Sequence, residues 1–403
     1  MIALNPAADR EAAPPPLETA TLRWSPVLGR DERPIGFRLA IDAAASEPLA
    51  ALLDALLAGF GDGSAGLPHA LVLLAPRLRA ADESLAAWGA PRNVLLELDA
   101  RALAAADCGA RLAAAQRRGL RLALRVTDAG WPPAERMAAF QYVVGPAAAG
   151  RRPSAIAWLA TGADTRAAMQ SALAAGASGV VGGPLEAPAG GELRPQQRAL
   201  LNLIRLVQSD ADCADLEREF KRDPLLAYML LTLANSPAFM RAQPIASLGH
   251  AIQMLGYQRL VKWLVLLLVI ASKEARALPA IYRAVLRGLL LENCAAAAGA
   301  APTVRDECFV VGAFSLLDRI TGLALPQLIS QVPLPAAVGA ALSGDGGPYS
   351  GWLALACALE DDGGDADRAR LAALAAAHGL GCGAINAALL RALAANDALQ
   401  TLV

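Results

Sequence analysis

The chain has 403 residues, more than one ordinary compact domain holds, so two domains are expected. Its 36 basic and 37 acidic residues leave a net charge of −1, which argues against a dominant footprint for nucleic acid or an anionic membrane. At 55% hydrophobic and 4% aromatic, with alanine supplying much of the apolar share, it can bury a sizeable core and favours helix.

Residues 1–19 read as a disordered lead, in which Pro14, Pro15 and Pro16 follow a mixed polar stretch. Acids and prolines stand where a secretion signal needs an apolar run, so a cytoplasmic protein is expected. From 20 to 190, short apolar runs alternate with helical stretches. The runs are Thr21–Val27, Gly36–Ile41, His69–Leu74, Asn93–Leu98, Arg121–Val126, Tyr142–Val144, Ala155–Leu159 and Gly179–Val181. Helix candidates between them are Glu47–Gly59, Ala81–Trp88, Arg101–Arg118, Pro133–Phe140 and Thr165–Ala175. Strands alternating with helices predict a parallel sheet, and eight of them predict a closed, shrunken TIM-like β/α barrel.

The turn-rich break at Pro188–Glu192 marks the domain boundary, and an all-α domain is expected over 191–403. Pro195–Gln208 is periodic, with Leu200, Leu203, Ile204 and Val207 on one face. Asp212 reads as the cap of a helix through Lys221. Asp223 and Pro224 form a cap and first-turn proline for a helix to about Asn235. Ser247 caps a helix stopped by Gly256. Tyr257–Ser272 is apolar nearly all round and should be the central helix; its strongest run, Trp263–Ser272, is too short for a membrane span. Further helices are expected at about Ala280–Ala298, Asp306–Thr321, Pro326–Val332, Pro335–Leu342, Tyr349–Glu360, Asp367–Ala377 and Gly383–Ala395.

Cys108, Cys213, Cys294, Cys308, Cys357 and Cys382 form no CxxC pair and read as buried free thiols. The three histidines, His69, His250 and His378, are never followed by aspartate, so the metal ligands of an HD hydrolase are absent. GxSxG, GxxxxGK[ST] and HExxH are absent as well. Asp223, Asn235 and Ser236 are read as capping and turn residues, with a role in partner recognition as the alternative.

Motifs in the two halves resemble two bacterial signalling families in tandem. In the first half, Trp24, Ser25, Pro26 and Val27 stand at the "QP(I/V)" strand of EAL domains, and Gly36, Phe37, Arg38, Leu39 and Ala40 at "GYEAL". Arginine thus replaces the metal-binding glutamate. The "NxSP" strand reads Leu73, Leu74, Ala75, Pro76, without the asparagine ligand. "ElTE" reads Glu97, Leu98, Asp99, Ala100, so its first glutamate persists. "ALDDFG" becomes Ala123, Leu124, Arg125, Val126, Thr127, with neither aspartate. The "KID" lysine falls near Val144, the "AEGVE" region near Ala157–Thr161 without a glutamate, and "QG" at Val181 and Gly182. In the second half, Leu216 and Glu217, Arg222 to Leu225, Asn235 and Ser236, Ala251 and Ile252, Leu255 and Gly256, and Trp263 and Leu264 follow the HDOD domain, an all-helical HD relative without metal ligands. Phe309–Leu317 and Val332 to Leu334 continue the pattern.

The EAL resemblance implies a phosphodiesterase scaffold for cyclic di-GMP that needs two divalent cations held by several carboxylates. One glutamate cannot hold two such ions, and Arg38 and Arg125 set fixed positive charge where they would lie. Arg38, Glu97 and Arg125 are therefore the candidate vestigial pocket, with no catalytic residue, metal or cofactor expected. At least one arginine is expected to pair with Glu97; the alternative is that both arginines bind phosphates of an intact nucleotide. The resulting expectation is a non-enzymatic regulatory adaptor that binds signalling proteins, linked to cyclic di-GMP or two-component signalling. A non-hydrolysing cyclic-di-GMP receptor is the second reading and an active phosphodiesterase the weakest.

Overall fold

A computed structural model describes residues 15–400 except 44–47, 61–70, 77–87, 90, 101–112, 115, 128–139, 148–155, 188–192, 236–244, 246, 271–274, 331–333 and 361–364. The expected helices Ala81–Trp88 and Pro133–Phe140, most of Arg101–Arg118, the linker Pro188–Glu192, His69 and Cys108 lie wholly or largely outside the described residues.

All eight expected strands form: β1 Thr21–Gly29, β2 Pro34–Asp42, β3 Leu71–Pro76, β4 Val94–Asp99, β5 Arg121–Arg125, β6 Tyr142–Pro146, β7 Ala157–Thr161 and β8 Gly179–Val181. They close into a barrel in chain order. Strands β2 to β8 run parallel, but β1 is antiparallel to both β2 and β8, which corrects the all-parallel expectation. The reason is the short link at 30–33. It can make a hairpin, whereas a parallel crossover needs a dozen residues or more.

Inside the barrel, Val27, Leu73, Leu95, Ala123, Val144, Leu159 and Val181 pack as one apolar cluster. Outside it, helix Arg166–Ala174 covers β7 and β8, where Leu28, Trp158, Met169, Ala172 and Val180 pack together. Thr165 caps that helix by accepting from the Ala168 N–H at 3.1 Å. Glycine is required at Gly36 because a Cβ there would lie 1.9 Å from the Leu71 carbonyl oxygen.

The chain divides into two compact units, and the division differs from the expected one. Leu355–Asp397 joins the barrel in the unit Ala12–Glu186, while Ala187–Ala354 forms the core of the other. Within the barrel unit, Trp24 N–H donates to the Leu359 carbonyl at 2.9 Å. Asn386, 2% exposed on helix Cys382–Gln400, donates through Nδ2 to the Leu17 and Ala20 carbonyls, each at 2.8 Å. Its Oδ1 accepts from the Leu22 N–H at 3.3 Å. These bonds also shorten the expected disordered lead: Pro15–Glu18 is helical, and Leu17 and Ala20 are fully buried. Residues 1–14 are outside the described residues.

The second unit is all-helical. Numbered from its start, its helices are α1 Pro195–Gln208, α2 Cys213–Phe220, α3 Pro224–Ala234, α4 Leu248–Leu255, α5 Tyr257–Ile270, α6 Leu278–Ala297, α7 Pro302–Phe314, α8 Leu317–Thr321, α9 Leu325–Ile329 and α10 Ala336–Ser343. Asp223 caps α3 through the Leu225 and Leu226 N–H groups, and Ser247 caps α4 through the His250 N–H. Asp212 stands at the N-cap of α2 but makes no side-chain capping bond. The single helix expected over Asp306–Thr321 is two, broken between Phe314 and Leu317. Gly312 lets α7 cross α6 closely, since a Cβ there would lie 2.5 Å from the Arg287 backbone. Among the described residues no single helix is long and apolar enough to cross a membrane. The described cysteines are free; Cys294 and Cys308 are buried, but Cys357 is exposed, against expectation.

Candidate functional site

Side chains alternate along a strand, so Glu97 shares the inner face of β4 with Leu95, and Arg125 that of β5 with Ala123. Both lie one pleat nearer the C-terminal end of the barrel than the apolar layer. Arg38 comes from β2, in register with Leu73 of β3, and reaches past that strand to Glu97 on β4.

The contact is a fork on a fork. Arg38 Nε donates to Glu97 Oε2 at 2.6 Å and its Nη2 to Oε1 at 2.7 Å. Both side chains are buried, 3% and 1% exposed. Arg125 Nε lies 3.8 Å from Glu97 Oε1 and keeps 38% of its side chain exposed. The three sequence candidates therefore meet in one place, and an arginine pairs with Glu97 as expected. Both Glu97 oxygens are engaged by guanidinium hydrogen bonds from Arg38. Among the described residues no group of three His, Cys, Asp or Glu side chains is placed to hold a metal ion. Among the described residues, the charged side chains that contact Glu97 are Arg38 and Arg125, which offer no oxygen to a divalent cation.

Sequence reasoning missed Arg23. It is 7% exposed, pairs with Ala40 across β1 and β2, and lies two pleats from inward-facing Val27. Were β1 parallel to its neighbours, Arg23 would sit at the opposite end of the barrel. The reversed strand brings it to the same end as Arg38 and Arg125. The four-residue link to β2 was the available signal.

Asn235 has a role that turn chemistry alone understates. Its Nδ2 donates to the Ile245 carbonyl at 2.8 Å while its Oδ1 accepts from the Ile245 N–H at 2.7 Å. The amide imitates a backbone partner and joins the end of α3 to the approach to α4. Ser236 and Pro237 lie outside the described residues.

The chain thus joins a closed eight-stranded barrel to a helical unit in which residues 195–333 match the family model of the HDOD domain. An HDOD domain is present, and it falls within the second unit. Among curated proteins, the Vibrio cholerae cyclic di-GMP phosphodiesterase CdgJ is 29% identical over 164 residues, 40% of this chain and 37% of that protein. The uncharacterized Bacillus subtilis protein YuxH is 27% identical over 152 residues, 36% of each. The chain spans little more than a third of the length of these relatives. Among solved structures, Klebsiella pneumoniae BlrP1 in a manganese and cyclic-di-GMP complex is 18% identical, with TM-score 0.32, covering 43% of this chain and 57% of that one. A likeness at that score carries no argument about this chain.

Proposed function

We propose that the chain is a bacterial signal-transduction protein of the cyclic-di-GMP network whose barrel does not hydrolyse the nucleotide and which acts by binding protein partners. The HDOD domain and the partial match to CdgJ support the signalling context. The observation that carries the loss of chemistry is the buried Arg38–Glu97 pair. Diester hydrolysis by metal-activated water needs carboxylate oxygens free to coordinate cations, and both oxygens of Glu97 are already held by a guanidinium that cannot deprotonate. In this reading the barrel resembles an EAL scaffold emptied of its metal ligands and kept as a docking surface.

The test is incubation of the full-length chain with cyclic di-GMP and Mn²⁺ or Mg²⁺, followed by chromatography. No linear product is expected. Turnover that disappears in Glu97→Gln would overturn the reading. A second reading, a receptor that binds cyclic di-GMP intact, draws support from Arg125, a cationic side chain 38% exposed beside the buried Glu97. Calorimetric titration separates the two. Micromolar binding lost in Arg125→Ala would establish the receptor, whereas the adaptor reading expects no heat of binding.

A further inference from the structure

The helical unit holds a cleft of about 140 Å³ at α1, α5, α7 and the start of α10. It is below the roughly 300–1,000 Å³ that encloses a drug-sized ligand. Val261, Val310, Pro335 and Val338 supply apolar wall, and Gln208, Gln258, Lys262, Thr303, Asp306 and Glu307 the polar part.

Its polar groups are not equivalent. Lys262 is committed: Nζ pairs with Glu292 Oε1 and lies 5.0 Å from the centroid of the Phe309 ring. Glu307 accepts from the Tyr349 hydroxyl. Arg305 turns its Nε to the Ala300 carbonyl at 2.7 Å. By contrast, the buried Oε1 of Gln208 has no hydrogen-bond partner among the described residues. Asp306 enters no ion pair among them. Burial raises its carboxyl above the ordinary value, and the opposing pull of Lys262, Arg259 and Arg305 does not cancel that rise. The cleft therefore has unmet acceptors and no free donor of matching charge, beside a wall suited to methylene groups.

We propose that this cleft receives an alkylguanidinium group, its planar head on Asp306 and Gln208 and its stem along Val261, Val310 and Val338. A guanidinium carries five N–H donors in a fixed plane and is more weakly hydrated than an ammonium, which suits separated acceptors in a half-buried cleft. The group comes either from an arginine side chain of a partner protein or from a free arginine-like molecule. The inference goes beyond the barrel reading and does not depend on it, since the two concern different units.

The test is saturation-transfer NMR on the full-length chain with three probes: N-acetyl-L-arginine methylamide, free L-arginine, and N-acetyl-L-lysine methylamide. Saturable transfer to the arginine stem protons is expected in the millimolar range. It should fall at least about fivefold in Asp306→Asn and in Gln208→Met, each shown to melt cooperatively. Stronger binding of the blocked arginine assigns the group to a partner's side chain; stronger binding of free arginine assigns it to a small molecule. Absence of saturable transfer, transfer unchanged in both variants, or lysine binding as well as arginine overturns the proposal. Any of those results leaves the hydrolysis assay, and the barrel reading it tests, untouched.

Discussion

Replacing Glu97 by glutamine should destabilise the barrel unit far more than an ordinary polar substitution. The pair it breaks is doubly hydrogen-bonded at 2.6 and 2.7 Å, with both side chains at least 97% buried. Removing one partner strands the other's charge in a low-dielectric interior, a loss of about 3–5 kcal/mol. For a unit of this size, that corresponds to a fall in Tm on the order of 10 °C. Arg125 adds little to the loss, because its contact with Glu97 is long, at 3.8 Å, and its side chain is 38% exposed. The same size of loss is expected for Arg38→Met. The double variant Arg38→Met, Glu97→Met should recover to within about 2 kcal/mol of the parent, since an apolar pair of similar volume needs no charge compensation. Equilibrium urea unfolding of the parent, Glu97→Gln, Arg38→Met, Glu97→Met and the double variant measures the losses, and the two methionine singles with the double give the coupling. Single-variant losses under about 1 kcal/mol, or a double-variant loss equal to the sum of the singles, would refute the reasoning that this pair is a tightly coupled structural contact.

Three further outcomes follow from other contacts. Asn386→Leu orphans the Leu17 and Ala20 carbonyls and the Leu22 N–H, and should cost about 2–5 kcal/mol by denaturant unfolding; a loss under 1 kcal/mol would show that the last helix does not hold the start of the barrel. Asn235→Ala removes both bonds to Ile245 and should cost about 1–3 kcal/mol, with faster amide exchange at Ile245; unchanged exchange would sink the clasp assignment. Asp306 binds its proton more tightly in the folded chain, because burial raises its pKa above 3.8. The stability it contributes is whole below the unfolded carboxylate value and is lost as pH rises through the folded one. Asp306→Asn should therefore gain on the parent between acid and neutral pH, and an offset in urea midpoint that is the same at both ends would contradict this.

Much of the barrel was legible because each strand is a short apolar run bounded by turn residues, and that signal needs no partner to be seen. The residues of the candidate site were legible for a different reason. Arg38, Glu97 and Arg125 stand at the "GYEAL", "ElTE" and "ALDDFG" positions of the EAL motifs that the first half resembles. Arg23 falls in none of those motif positions, and its place at the mouth depends on the direction of β1. The cleft was invisible in sequence because Gln208, Lys262, Asp306 and Val338 come from four separate helices, and each looks ordinary on its own.

The sequence by itself determined which segments become strands and helices, which caps begin α3 and α4, and that two arginines and a glutamate stand within the strand runs at 38, 125 and 97. These are properties of local pattern and residue type. Only the tertiary structure decided that β1 runs backwards, that Arg38 rather than its neighbour takes both oxygens of Glu97, and that Leu355–Asp397 packs with the barrel rather than the helical unit. An alanine-rich helix buries its apolar face against any surface that fits, so its address is set by contacts hundreds of residues away. For the last helix those contacts include three hydrogen bonds between one buried asparagine, Asn386, and the backbone of Leu17, Ala20 and Leu22.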